Sequence, residues 1–223
     1  KNAIGKRKDV PTDAAGAASA LAATLRDLPR VADSWWSGHW FDGGHRQESK
    51  WQGSIVAMVD ADYHVAGEKK PTPPDTDRAR LVAAVRAGAI PGSLFHETPH
   101  GARIVFLLSE SVTDPAHMKG AIKGACALVR VALEGLNLLE TGLPGYAIDS
   151  AATDLARFMF TPGAIVDGVA RTADVIVMRG DGYSPAALVA MAEATAPPPA
   201  VIAPARTRPL TSAPTSLDDA SAR

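Results

Sequence analysis

The sequence predicts a mixed α/β domain, and three stretches carry that expectation. Residues 53–63, GSIVAMVDADY, form a nearly continuous apolar run closing on two aspartates, the pattern of a central strand buried on both faces. Residues 93–98 and 102–108 flank the turn Pro99-His100-Gly101 and read as a hairpin. Residues 115–139 repeat apolar positions at helical spacing over a length that strands do not reach.

The remaining elements follow in order. Residues 1–11 are polar and basic and read as extended. Thr12-Asp13 can cap a helix through the Ala-rich stretch to about Asp27, where Pro29 ends it. Trp35-Trp36 and Trp40-Phe41 before Asp42-Gly43-Gly44 predict an aromatic strand entering a turn. Polar, Pro-rich 68–74 is a loop, and 75–87 a helix with Leu81, Val82 and Val85 on its apolar side. A short segment ends at Ile148-Asp149, 151–158 reads as a helical turn, 174–178 as a late strand, and Ser184-Pro185 starts a last helix to about Ala194. From Ala196 the chain is rich in Ala, Pro, Ser and Thr and has no aromatic residue. Such a stretch cannot bury a core, so residues 1–195 are expected to fold and 196–223 to be a flexible tail or linker to a further domain. A first residue other than Met suggests a piece of a longer protein.

Composition narrows the function classes. The chain has 223 residues, 46% hydrophobic and 21% charged, enough for a core without staples. Its one cysteine, Cys126, allows no intrachain disulfide and no cysteine-based zinc site, and reads as a small core residue. No apolar run is long enough to span a bilayer, and the N-terminus lacks a secretory pattern. The expectation is a cytoplasmic protein that does not meet a membrane. A formal charge of -1 argues against a uniformly basic nucleic-acid coat. Contacts to nucleic acid would come from local patches, with Lys6, Arg7, Lys8, Arg46 and Lys50 as candidates that also read as solvated surface charge.

Three segments carry chemistry. In Asp60-Ala61-Asp62 the aspartates at i and i+2 of a strand share one face, where they repel unless a cation sits between them. Hard oxygen ligands suit magnesium or manganese, though a strand-end aspartate also caps turns. Asp149 follows apolar Tyr146-Ala147-Ile148 and either completes a two-ion site from a distant segment or caps the 151–158 turn. In TPHGAR, 98–103, His100 and Arg103 are candidates to hold a triphosphate, and Arg157 either meets phosphate or pairs with Asp154. A Walker loop, a dinucleotide fingerprint, a Gly-x-Ser-x-Gly elbow, a His-x-His nickase motif and zinc spacing of the histidines at 39, 45, 64, 96, 100 and 117 are all absent.

Together these segments resemble the archaeo-eukaryotic primase superfamily, particularly the primase-polymerase domains of phage and plasmid replication proteins. The family's acidic pair on a strand is matched by Asp60-Ala61-Asp62. Its later single aspartate is matched by Asp149 in AIDSAATDLARFMFTP, whose Asp-Leu-Ala-Arg-Phe resembles the companion arginine segment. The middle motif is irregular. By its place before an apolar strand Arg103 stands for the family's histidine, and by Ser-x-His spacing Thr98-Pro99-His100 does. The resemblance spans roughly 40–165. It implies an N-terminal α/β unit packed on an RRM-like antiparallel sheet that carries the acidic residues. It also implies two divalent ions, Mg2+ or Mn2+, held by Asp60, Asp62 and Asp149. The activity implied is primer synthesis from NTPs or dNTPs on a single-stranded DNA template, with a C-terminal helicase domain in many members. Two competing readings remain. One is a non-catalytic single-strand-binding module, with Trp35, Trp36 and Trp40 as stacking platforms. The other is a metal-dependent nuclease using the same carboxylates.

Overall fold

The computed structural model describes residues 14–28, 35–44, 47–141, 144–149, 153–157, 159–166, 169–170, 174–179 and 181–196. The Thr12-Asp13 cap, the Pro29 stop, Lys6, Arg7, Lys8, Arg46 and the tail from 197 onward lie outside the described residues. The helices are α1 (Ala14–Arg26), α2 (Asp75–Arg86), α3 (Pro115–Gly135) and α4 (Pro185–Thr195). The strands are β1 (Trp35–Trp36), β2 (His39–Phe41), β3 (Trp51–His64), β4 (Leu94–Thr98), β5 (Gly101–Val112), β6 (Gly145–Ile148), β7 (Met159–Phe160), β8 (Ile165–Val166), β9 (Val169–Ala170) and β10 (Ile176–Val177). This is a mixed α/β fold on an antiparallel sheet.

The main sheet runs in the order β10-β4-β5-β3-β2, and β6 also pairs with β3. The apolar run around 53–63 becomes its long central strand because β-branched Ile55, Val56 and Val59 suit the pleat and both faces are covered. β4 and β5 form the expected hairpin across Pro99-His100, and Gly101 sits opposite both Thr98 and Asp62. β3 meets β2 along 51–54 and β6 along 61–64 on its other edge.

Alternation along the strands sorts side chains into two cores. Ala57, Val59, Ala61, Phe95, Ile104 and Phe106 face α2, α3 and α4. Val56, Met58, Leu94, Val105 and Leu107 face the other way, against Ala18, Ala22 and Leu25 of α1. At the α3–α4 crossing a Cβ on Gly124 would lie 1.8 Å from the Leu188 carbonyl oxygen, so only glycine permits that approach.

Two element boundaries differ from expectation for physical reasons. α3 stops at Gly135, short of 139, because Asn137 takes a left-handed φ of 53°. The Leu138 amide then donates to the Leu133 carbonyl at 2.9 Å and the Asn137 amide to Glu134 at 3.0 Å, a Schellman closure. Buried Leu138 and Leu133 supply its apolar contact. The single aromatic strand expected over 35–41 is two strands in different sheets. β1 pairs β7 and β2 pairs β3, with the break at Ser37, whose Oγ accepts from the His39 amide at 3.1 Å.

The junction of β2 and β3 contains a pH-sensitive contact. His39 is buried, and its Nδ1 accepts from Trp51 Nε1 at 3.0 Å. Burial pushes the imidazole down from 6.5 to about 4, only partly offset by Asp154. The folded state therefore keeps His39 neutral where the unfolded chain protonates it, so stability present above pH 6.5 is lost as pH falls toward 4. The loss amounts to about 3 kcal/mol at the acid end, from the free-energy equivalent of a pKa unit. Urea unfolding from pH 7 to 4 should show that decline, and His39→Gln, which keeps an acceptor for Trp51, should flatten it. An unchanged slope in the variant would remove this account.

Candidate active site

The face of the sheet that is apolar beneath α1 turns ionic two residues further along each strand. Leu94, Val105 and Met58 lie side by side in register, and the next row on that face is His96, Arg103 and Asp60. Asp62 follows Asp60 on the same face. β6 ends beside this row, where the Asp149 amide donates to the Asp60 carbonyl at 3.0 Å. Sheet pairing thus carries Asp149 from a distant segment to the acidic pair. One ligand oxygen from each of Asp60, Asp62 and Asp149 lies within 4.8 Å of the other two. Oxygens on opposite sides of a magnesium ion are about 4.2 Å apart, given metal–oxygen distances near 2.1 Å. Small side-chain movements therefore close these carboxylates on a hard divalent ion.

Two guanidinium groups sit among the carboxylates. Arg103 Nη1 donates to Asp60 Oδ1 and lies 3.7 Å from Asp62 Oδ1. Arg157 Nη2 lies 2.6 Å from Asp149 Oδ2 and 3.2 Å from Asp60 Oδ2. Arg157 is aimed there by a tight turn, in which its amide donates to the Asp154 carbonyl at 3.1 Å and Asp154 Oδ1 accepts from the Ala156 amide at 2.9 Å. Its side chain thus reaches the acidic cluster. Asp60 is fully buried, and burial pushes its carboxyl up to about 7 against the pull of Arg103 and Arg157. Asp62 and Asp149 keep 37% and 27% of their side chains exposed, so the cluster is open on one side.

That side is a pocket of about 300 Å³ lined by Asp60, Asp62, Arg103 and Arg157 at its floor and by Lys70, Pro71, Thr98 and His100 on its walls. Burial leaves Thr98 Oγ1 and Arg103 Nε without a hydrogen-bond partner. Each such atom costs about 1–3 kcal/mol unless water or a ligand satisfies it. His96, at the end of the ionic row, is fully buried and pushed down to about 3, first by burial and then by Arg103, so it stays neutral.

The structure therefore brings together Asp60, Asp62, Asp149, Arg103, Arg157 and His100. It sets Lys50 apart. That side chain is exposed, 4.0 Å from Asp42, at the start of β3 and about 33 Å of strand from Asp60 at the usual rise. Trp51 is buried, and Trp36 packs on the α1 core. Cys126 packs against the main core, where burial pushes its thiol up to about 12 and keeps it unreactive.

Sequence reasoning gives His96 and Lys70 no place in the site, and Thr98 only the first position of the Thr98-Pro99-His100 match. The signal for His96 was available. A two-residue loop at 99–100 pairs 98 with 101, and hence 96 with 103. Lys70 had no such signal, because its place on the wall depends on a non-repetitive loop in which it takes a φ of 50°.

Gly101 permits the close approach of β5 to β3 beside the site. A Cβ there would stand 2.0 Å from the Ala61 carbonyl oxygen, within the β3–β5 pairing. Gly101→Ala should cost about 1–3 kcal/mol in urea unfolding, the usual range for overpacking. A variant of unchanged stability would mean that the two strands separate more easily than this register allows.

No protein-family model matches the chain, and no curated protein matches it. Among solved structures it is similar to the AEP domain of the cyanophage S-2L primase-polymerase (PrimPol), at 14% identity, covering 69% of this chain and 68% of that one, with a TM-score of 0.41.

Proposed function

We propose that this chain is a metal-dependent nucleotidyl transferase that makes or extends primers on single-stranded DNA. One observation carries the reading. Carboxylates from two remote segments converge within 4.8 Å, and two of them, Asp60 and Asp62, line a pocket that also holds two arginines. A purely structural ion pair would not need three carboxylates beside an open pocket with unpartnered buried polar atoms.

Asp60, Asp62 and Asp149 are the residues that would hold Mg2+ or Mn2+, two ions in this reading. When bound, such ions make a primer 3′-hydroxyl a better nucleophile and stabilise the charge on a pyrophosphate leaving group. The protein's own part is electrostatic and geometric. Arg103 and Arg157 neutralise the acidic cluster in the free protein and turn toward the triphosphate in the complex. His100 and Lys70 line the wall along which the phosphates lie. Neutral His96 packs beside Arg103 without adding a second buried cation to the row. The template takes the open side of the cluster, with Lys6, Arg7, Lys8 and Arg46 as candidate contacts to its phosphates, and Lys50 as one only for a template that runs the length of β3.

The test is a gel assay with labelled nucleotide, a single-stranded template and manganese, with and without a primer. Product longer than the primer supports the transferase. Shortening of the template would favour the nuclease, and retention on template with no product would favour the binding module.

A further inference from the structure

Arg78 is a buried cation that neither the acidic cluster nor the helix it belongs to accounts for. It lies in the second turn of α2 and is 5% exposed. It precedes Leu81, Val82 and Val85 by three, four and seven residues, so it faces inward with them. Its guanidinium reaches backbone oxygens of two segments. Nε donates to the Pro73 carbonyl at 3.3 Å, Nη1 to the Thr98 carbonyl at 3.0 Å, and Nη2 to the Pro99 carbonyl at 2.5 Å. Nη1 also meets Glu97 Oε1 at 3.2 Å. Both segments line the pocket, one through Lys70-Pro71 and the other through Thr98-Pro99-His100. His100 Nδ1 and the Pro71 carbonyl, 3.4 Å apart, close the gap between them.

We infer that Arg78 is the positioning residue of the nucleotide pocket, fixing both walls at the spacing a triphosphate needs. Burying a charge is costly, and well-packed apolar side chains stabilise a core at least as well. What a guanidinium adds is geometry, because its planar fork holds several acceptors in fixed directions and an ammonium does not. The acceptors here are the Pro73 carbonyl in the loop before α2 and the Thr98 and Pro99 carbonyls at the end of β4 and in its turn, so one side chain ties two separate segments. The same clamp sets the direction of Thr98, whose unpartnered Oγ1 is buried in the pocket wall. A second tie runs in parallel, since the Tyr63 amide donates to the His100 carbonyl at 2.7 Å and the Tyr63 hydroxyl to Asp77 Oδ2 at 2.6 Å. The side chains that touch the phosphates remain Arg103, Arg157, His100 and Lys70, and Arg78 acts through the last two.

This inference rests on the transferase reading for its ligand, but the clamp itself is measurable without any nucleotide. Arg78→Lys keeps the charge beside Glu97 and is expected to fold, whereas Arg78→Ala strands a carboxylate and carbonyls and serves only as the stability control. Amide hydrogen exchange on the Lys variant should speed up at least 10-fold at the amides that these segments carry, Lys70, Thr72, Thr98, His100 and Gly101, with β3 and α3 unchanged. In primer extension with manganese its KM for nucleotide should rise at least 10-fold, with kcat within about 3-fold of the parent. Exchange that stays slow in both loops overturns the clamp, whatever the enzyme does. Faster exchange with an unchanged KM also overturns the inference, by showing a structural tie that the ligand does not feel. If the parent protein neither incorporates nor binds nucleotide, the transferase reading fails. The pocket role assigned to Arg78 then falls with it, even where the exchange result upholds the clamp.

Discussion

Asp60→Asn is expected to lose nucleotide incorporation by roughly 10³-fold or more while keeping its fold, since groups that organise transition-state charge contribute on that scale. Asp60 is the carboxylate on which both arginines and the Asp149 segment converge. Arg103 and Arg157 both reach it, and its backbone carbonyl holds Asp149 in place. An amide of the same shape cannot supply the negative ligand that a divalent ion needs, so the site should lose its metal along with its activity.

The fold should survive for a reason visible in the same burial. The Asp60 carboxyl rises from 3.8 to about 7 in the folded protein because burial disfavours its charged form. A folded-state value above the unfolded one means that the associated stability is full below pH 3.8 and is lost as pH rises through 7. Above pH 7 the ion-free protein carries an ionised carboxylate that destabilises it, and asparagine removes that charge. The variant's midpoint of thermal unfolding at pH 8, with chelator present, should match or exceed the parent's. Full-rate extension by the variant would remove the catalytic assignment. A collapse of thermal stability would mean that Asp60 is first a structural partner of Arg103.

The nearly continuous apolar run at 53–63, closing on two aspartates, makes both the strand and its acidic end legible without coordinates. Asp60 and Asp62 share a face by strand geometry alone, and the 99–100 turn sets His96 opposite Arg103 once its loop length is known, whereas Arg103 meets Asp60 through the long-range pairing of β3 with β5. The arrival of Asp149 was less accessible. It depends on β6, a four-residue strand whose pairing with 61–64 of β3 has no local signature. The arginines' present partners were not legible either, because a cation near aspartates reads equally as a phosphate ligand or as their counter-ion. Arg78 illustrates the same limit from the other direction. Its spacing with Leu81 and Val85 marks a buried position on α2, but its partners are backbone carbonyls, which any sequence supplies everywhere.

Removing Arg157 is expected to tighten binding of Mn2+ to the nucleotide-free protein by 10- to 100-fold. The Arg157 guanidinium, 26% exposed, lies against Asp149 and Asp60, in the space between carboxylates that an ion would use. An ion at about 2.1 Å from those oxygens and a guanidinium hydrogen-bonded to them exclude one another. Two unit charges 4 Å apart interact by about 4 kcal/mol at an effective dielectric constant of 20, and Arg157 is open enough to solvent to reduce that severalfold. A 10-fold gain needs only about 1.4 kcal/mol. In the proposed function the same side chain is a partner for the triphosphate, so Arg157→Ala should bind metal better and extend primers worse. A triphosphate added to the parent protein should act like the substitution, because its phosphates draw the guanidinium away and free the carboxylates. Manganese paramagnetic resonance titrations of parent and variant, each with and without a non-hydrolysable nucleotide, read both effects without relying on turnover. If the variant binds Mn2+ no better than the parent, the guanidinium does not compete for the ion's place. Its contact with Asp149 then serves only to hold the 153–157 turn against the sheet.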